Sequence, residues 1–150
     1  MEAIQFKNRK YCIDITVVDK DEKIILLVEV KTHQKLESAV SQLKSYLRVM
    51  ETEIPFAMLA NLEEIQIFKV RNDNDMQLKI SLKTVDILKY YDDKFADKKI
   101  YGLYLITLLE AWLRDLAYHW KSEIPPGSEE LAKIGLLEKI EGGDTYSQNE

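Results

Sequence analysis

Two acidic residues and a lysine lie in neighbouring strand-like segments near the amino terminus. Asp14 belongs to the segment 11–18, and Glu29 and Lys31 end the apolar run of residues 24–28. Because side chains alternate along a strand, Glu29 and Lys31 point in the same direction. Two carboxylates and an ammonium group arranged in this way can hold a divalent metal ion against a phosphodiester.

The acid-x-Lys pattern is not specific by itself, because it occurs four times in this charged chain. Residues 21–23, 92–94 and 97–99 carry it within polar stretches that are typical of turns and helix ends. Only Glu29-Val30-Lys31 ends a β-branched apolar run, which is typical of a buried strand. The candidate site therefore depends on this context as well as on the residue types.

A two-residue turn at Asp21-Glu22 predicts a particular register for the hairpin. Lys20 would face Lys23, and Asp14 would lie opposite Glu29, with their Cβ atoms roughly 5 Å apart. A longer turn would offset the two acids. The apolar face would hold Ile13, Ile15, Val17, Ile24, Leu26, Val28 and Val30, and the face that is polar at one end would hold Cys12, Asp14, Thr16, Leu27, Glu29 and Lys31.

Length and charge indicate an ordinary globular chain. The 150 residues suit one domain with or without an appendage, and the net charge is −5. The charge is uneven: residues 1–50 carry +2, from nine basic and seven acidic residues, residues 51–100 carry −2, and residues 101–150 carry −5. The candidate site lies in the least acidic third, which is compatible with an anionic ligand there and equally with an ordinary solvated surface.

The cysteine content and the hydropathy of the sequence indicate the cellular compartment. The single cysteine, Cys12, rules out an intrachain disulfide and suits a reducing cytosol, and with only His33 and His119 beside it a Cys/His zinc site is not expected. The start of the chain lacks a basic and then apolar leader, and no stretch is apolar enough to span a membrane. We expect a cytoplasmic protein.

The order of predicted elements indicates an α/β fold with a mixed sheet. A strand near residues 4–6 and the Asp14 hairpin precede a helix, which should join two parallel strands through a right-handed crossover. The helix is predicted over residues 35–50, and further strands over 55–60, 64–70 and 76–82. Residues 1–82 would then form the α/β core.

Helices are predicted over residues 83–91, 98–121 and 128–137, and Ser128 is the expected N-cap of the last one. The long helix is apolar around much of its circumference and must be covered on several sides. A second copy of the chain could cover it, which predicts a homodimer with Trp112 and Trp120 in the core or the interface. Residues 83–141 would form this helical extension, and residues 142–150 a flexible tail.

Residues 9–70 resemble the PD-(D/E)xK nuclease superfamily, which has the restriction-endonuclease-like fold. They are most similar to the nuclease domain at the amino terminus of type I restriction-enzyme motor subunits. The ordered set, rather than any single element, makes the resemblance moderately specific. Its members are Arg9, Tyr11, Asp14, Glu29-Val30-Lys31, Gln42 and Tyr46 within Gln42-Leu43-Lys44-Ser45-Tyr46, Pro55-Phe56, Asn61 and Ile67-Phe68.

The resemblance implies a Mg²⁺ (or Mn²⁺) site and hydrolysis of DNA phosphodiester bonds. Asp14, Glu29 and the backbone carbonyl of Val30 would be the metal ligands. Lys31 would orient the attacking water or stabilise charge on the phosphate. Gln42 and Tyr46, four residues apart on one helix face, would help to position water or DNA.

One departure from the family pattern leaves a second interpretation open. Only about ten residues precede the Asp14 strand, and Glu2 is the one acid among them that could supply a third carboxylate. The chain could therefore be an accessory module with weak or no catalytic activity that acts through a partner protein. A third interpretation is a structural dimerisation domain built on the long helix.

Overall fold

The computed structural model describes residues 13–147, which form an α/β structure around one mixed six-stranded sheet. The strand order is β5-β4-β3-β2-β1-β6. The strands are β1 Ile15–Val18, β2 Ile24–Val30, β3 Phe56–Ala60, β4 Glu64–Val70, β5 Met76–Lys83 and β6 Asp144–Ser147. The helices are α1 Val40–Val49, α2 Thr84–Leu88, α3 Gly102–Tyr118, α4 Ser128–Lys133 and α5 Leu136–Ile140, with 3₁₀ turns at Leu36–Ala39 and Phe95–Asp97.

The β1–β2 hairpin has the predicted register at its functional end. Ile15 pairs with Val28 in an antiparallel ladder, and the same register continued by one residue places Asp14 opposite Glu29. The predicted two-residue turn is wrong, because the loop between the strands spans residues 19–23. A register shift between Val17 and Val18 compensates for the longer loop, so the two acids still face each other.

The side chain of Asp19 explains the longer loop. Its Oδ1 accepts hydrogen bonds from the backbone amides of Asp21, at 2.9 Å, and Lys23, at 3.0 Å. An aspartate that bonds to the amide two residues ahead builds a turn by itself, and Glu22 takes a left-handed conformation with φ 64°. The predicted pairing of Lys20 with Lys23 therefore does not occur.

The crossover from β2 to β3 is confirmed as parallel, with Val30 level with Ala60. The predicted helix over residues 35–50 begins as the 3₁₀ turn Leu36–Ala39 and becomes α1 at Val40. Strands β3 and β4 form an antiparallel pair, as do β4 and β5. Since parallel neighbours end at the same edge, Glu29, Val30 and Ala60 lie at one end of the sheet.

Both faces of the sheet are covered, which corrects the expected contrast between an apolar and a polar face. Leu27 is completely buried and Thr16 nearly so, because the 3₁₀ turn and α1 pack on this side with Leu36, Leu43 and Tyr46. Ile13 belongs to this cluster as well, and not to the opposite face as expected. The opposite face packs on α3 and the carboxyl-terminal helices.

Helix α3 is buried within its own chain. Leu105, Leu109, Trp112, Leu113 and Leu116 are all completely buried against the sheet and the neighbouring helices. The indole Nε1 of Trp112 also donates a hydrogen bond of 2.7 Å to the carbonyl of Pro126. The central apolar side of this helix is thus covered without a second copy, whereas Leu103 and Tyr118 near its two ends are exposed. The homodimer stays a prediction.

The carboxyl-terminal region differs from the predicted single helix. Gly135, with φ 82°, separates α4 from α5, and Gly127 rather than Ser128 is the N-cap of α4. The hydroxyl of Ser128 donates instead to the carbonyl of Pro125 at 2.6 Å.

Residues 144–147 form strand β6, where a flexible tail was expected. β6 pairs with β1, and Ile15 lies opposite Ser147. Gly143 permits this approach, because a Cβ at that position would lie 1.9 Å from the carbonyl oxygen of Val18. The strand that follows Asp14 is therefore held on both sides.

Within residues 13–147, no helix combines the length and the apolar character that crossing a membrane requires.

Candidate active site

The hairpin and the crossover helix bring four of the predicted site side chains together at the carboxyl end of β2. Asp14 lies just before β1, and Glu29 lies on β2 in the opposite register position. The Oδ2 atom of Asp14 accepts a hydrogen bond of 2.7 Å from the backbone amide of Val30. This bond ties the Asp14 carboxylate to the next strand, so its position is set by the sheet rather than by a flexible side chain.

Glu29 is the most unusual group at this end of the sheet. Its side chain is 3% exposed, and its Oε2 atom has no hydrogen-bond partner. Burial, followed by the adjacent carboxyl group of Asp14, raises the pKa of Glu29 to about 9. A buried carboxyl oxygen without a partner is costly, and such groups are rare in folded proteins unless they serve a function.

Helix α1 supplies Tyr46 and Gln42 to the same site. The amide Nε2 of Gln42 donates a hydrogen bond of 2.8 Å to the Tyr46 hydroxyl, one helical turn away. A hydrogen bond from Tyr46 and the charge of Lys31 both favour the ionised form of Glu29, although burial and Asp14 outweigh them. Burial and the nearby Glu29 raise the pKa of Tyr46 to about 12, so this phenol remains a donor at neutral pH.

Lys31 lies directly after β2 and is partly exposed. Its backbone amide donates to the carbonyl of Ala60 at 2.9 Å, which continues the strand pairing by one residue. His33, two residues later, is exposed. A partly exposed ammonium group at the rim, beside the carboxyl groups of Asp14 and Glu29, is the arrangement that could meet an incoming phosphate.

Asn61, one element of the resemblance, organises the backbone around the site. Its Oδ1 accepts from the amides of Glu63 and Glu64, both at 2.8 Å, and so shapes the turn between β3 and β4. Its Nδ2 donates to the carbonyl of Gln34 at 3.3 Å and holds the segment that follows Lys31. Asn61 therefore has a structural role here. Arg9, Tyr11 and Cys12 lie outside the described residues.

The donor atoms of the site suit a hard divalent cation. Asp14 and Glu29 offer carboxylate oxygens, and Mg²⁺ commonly binds through one or two carboxylates together with substrate phosphate. Burial is the main reason that the pKa of Glu29 is raised, and a cation between the two carboxyl groups would offset both the burial of the charge and the repulsion from Asp14. Among residues 13–147, no group of three or more His, Cys, Asp or Glu side chains forms a complete metal cage.

One neighbour of the site was missed by sequence reasoning. Gly102, the first residue of α3, packs so closely on the loop after β2 that an added Cβ would lie 3.3 Å from Thr32 Oγ1. Thr32 and Gly102 are seventy residues apart in sequence, and neither belongs to a recognisable motif. The contact places the beginning of α3, with the exposed Tyr101, at the same end of the sheet as Glu29.

The sheet, the crossover helix and the paired acids define an α/β protein with a candidate phosphodiester site. A family model described as the type I restriction enzyme R protein N terminus matches residues 2–93, which is more than half of the chain. The chain belongs to this family. No curated protein and no solved structure matches it.

Proposed function

We propose that this chain is a metal-dependent nuclease of the restriction-endonuclease-like fold, which hydrolyses phosphodiester bonds in DNA. The observation that carries the proposal is the buried Glu29 carboxyl, with one oxygen lacking a partner, opposite Asp14 at a sheet end. A purely structural carboxyl group would be expected to have its partners within the fold. Membership of a restriction-enzyme family supports DNA as the substrate and a restriction system as the setting.

Each residue of the site has a defined part in this proposal. Asp14 and Glu29 would hold Mg²⁺ or Mn²⁺, with the backbone carbonyl of Val30 as a further ligand. The metal would polarise the phosphate and lower the pKa of a bound water molecule. Glu29 must lose its proton before it can bind the cation, and the Tyr46 hydroxyl supports the resulting charge. Lys31 would stabilise negative charge on the phosphate in the transition state.

Gln42 would act on the metal site through Tyr46. Its amide occupies one side of the phenol oxygen, so the hydroxyl hydrogen is directed away from Gln42 and toward the carboxyl group of Glu29. In this proposal, Gln42 and Tyr46 are positioning residues that act on the Glu29 carboxyl group. Their contact with DNA stays a prediction.

The test is cleavage of supercoiled, linear and single-stranded DNA in Mg²⁺ or Mn²⁺. Asp14→Asn and Lys31→Ala should each lower the rate by at least ~100-fold, since each removes a group that stabilises the transition state. Lys23→Ala is the matched control, because it removes an exposed ammonium group at the other end of the hairpin, away from Asp14. Equal cleavage by wild type and both site variants would overturn the proposal.

A second candidate function is an accessory module that completes its site with a partner protein. The observation in its favour is that only two carboxylates meet at this sheet end among the described residues. It predicts metal binding without cleavage by the isolated chain, and cleavage when the partner subunit is added. Membership of an R-subunit family makes another restriction subunit the natural partner.

A further inference from the structure

We infer that Tyr101 and Lys99 form a contact surface for an unpaired DNA segment next to the candidate active site. The inference rests on the proposed nuclease function and extends it to the form of the substrate. Tyr101 is the N-cap of α3, and its side chain is 64% exposed. The ammonium group of Lys99 lies 5.7 Å from the centre of its ring. An exposed aromatic ring beside a cation is the combination that binds a base and its phosphate.

The position of Tyr101 links it to the site. Gly102, its neighbour, packs on Thr32 in the loop after β2. Thr32 is three residues beyond Glu29, which limits their Cα separation to about 11 Å. A DNA strand whose phosphate lay at Glu29 would therefore reach the beginning of α3 within a few nucleotides.

The charges around this surface favour a polyanion. The loop of residues 31–35 contains Lys31, His33 and Lys35 and no acidic residue. Lys98 is neutralised by Asp92 at 2.8 Å, whereas Lys99 is exposed and contacts the Tyr101 ring. Asp92 is also bound by the Tyr104 hydroxyl at 2.6 Å. Residues 92–99 carry three aspartates and three lysines, so the positive charge near Tyr101 comes from the loop of residues 31–35.

The exposure of Tyr101 has no evident structural purpose. Tyr91, by comparison, donates its hydroxyl to the buried Asp115 at 2.6 Å. Tyr101, in contrast, is 64% exposed, and its hydroxyl has no hydrogen bond in the described structure. An exposed tyrosine ring beside a basic loop would present a stacking surface to a base.

The chain contains a close control for Tyr101. Tyr90 is 54% exposed, and the ammonium group of Lys89 lies 5.7 Å from its ring centre. The local tyrosine–lysine arrangement is thus the same at both positions. Only Tyr101 adjoins the loop that leaves the candidate site.

The experiment measures binding of a fluorescently labelled single-stranded oligonucleotide, and of the corresponding duplex, by anisotropy in EDTA. Tyr101→Ala should weaken single-strand binding by ~5- to 100-fold, the range expected when one stacked base is lost. Tyr101→Phe should restore it, because the ring is kept. Tyr90→Ala should change it less than twofold, and the duplex should be affected less than the single strand.

Lys99→Ala should weaken binding to single strands and reduce the magnitude of the salt slope by about 0.7, as expected for the loss of one phosphate contact on a single strand. Equal affinities for wild type, Tyr101→Ala and Tyr90→Ala would overturn the inference. So would an equal loss on single strands and duplex, or no single-strand binding by the wild type. Oligonucleotide binding in EDTA does not require metal or cleavage. The binding test can therefore succeed or fail independently of the cleavage test of the nuclease proposal.

Discussion

Two buried carboxyl groups on opposite sides of the sheet have opposite environments. Asp115 on α3 is completely buried, and its oxygens accept from the Tyr91 hydroxyl at 2.6 Å and from the amides of Lys121 and Ser122, both at 2.9 Å. Burial alone would raise its pKa, but these hydrogen bonds together hold the pKa of Asp115 below its usual value. Glu29 is nearly as deeply buried, yet one of its oxygens has no partner and its pKa is raised to about 9.

The difference separates a structural acid from a candidate functional one. Asp115 fixes the chain that follows α3, and every donor around it belongs to the protein. Glu29 stabilises nothing comparable, and its closest acidic neighbour, Asp14, makes its ionisation harder. Strongly perturbed acids of this kind cluster at functional sites, and in the function that we propose a cation with a phosphate would complete this one.

The largest effect on stability is expected from the satisfied acid. Asp115→Ala should lower the free energy of unfolding by ~3 kcal/mol, because it leaves a buried hydroxyl and two amides without their acceptor. Urea denaturation followed by circular dichroism measures this loss. Asp14→Ala serves as the comparison and should cost less, since Asp14 is only partly buried and its removal leaves a single backbone amide, that of Val30, without its acceptor. An equal loss of unfolding free energy in Asp115→Ala and Asp14→Ala would contradict the distinction between a structural acid and a site acid.

A smaller effect of opposite sign is expected for Glu29→Gln. Because the pKa of Glu29 is higher in the folded chain than its ordinary value of 4.5, the folded state keeps a proton that the unfolded state releases. The wild type should therefore lose stability as the pH rises from 4.5 toward about 9. Glu29→Gln should remove this dependence and be more stable by ~1–2 kcal/mol at pH 6, with a larger difference at higher pH.

The measurement for Glu29→Gln is urea denaturation of both proteins at several pH values across that interval. At pH 4.5 the two curves should meet, because Glu29 is then protonated in the folded chain and close to half protonated in the unfolded one. A variant that is less stable than the wild type at pH 8 would show that Glu29 contributes to the fold as an ordinary paired acid.

The register of the first hairpin could be predicted because two constraints agreed. The alternation of apolar residues in both strands and the end positions of Asp14 and Glu29 favoured one pairing. The turn that was supposed to produce that register is wrong, since Asp19 builds a longer loop and a bulge restores the pairing. Patterning over whole strands was therefore more informative than the choice of turn.

The depth of Glu29 could not be predicted from its own strand. The burial of Glu29 depends on how α1 packs on this face of the sheet. Leu43 and Tyr46 of α1 belong to the same buried cluster as Leu27 of β2. A hydrophobic stripe shows that a helix has a buried side, but not which residues of the sheet it covers.

Strand β6 could also not be predicted from the sequence patterns. Strand β6 is short and polar, and its place beside β1 depends on Gly143 and on side chains of α3. There, Thr145 donates its hydroxyl to Glu110 at 2.7 Å and accepts from Arg114 at 2.9 Å. Such long-range partners leave no periodic signal in a four-residue segment.

The most direct test of the account is calorimetric titration of the protein with Mn²⁺, in two buffers of different ionisation enthalpy at pH 7. Because Glu29 holds its proton at this pH, the account predicts release of nearly one proton per bound metal ion, with affinity that rises up to about pH 9. Glu29→Gln should bind at least ~10-fold more weakly and release no proton. Unchanged affinity in Glu29→Gln, or binding by the wild type without proton release, would contradict the assignment of Glu29 as a metal ligand.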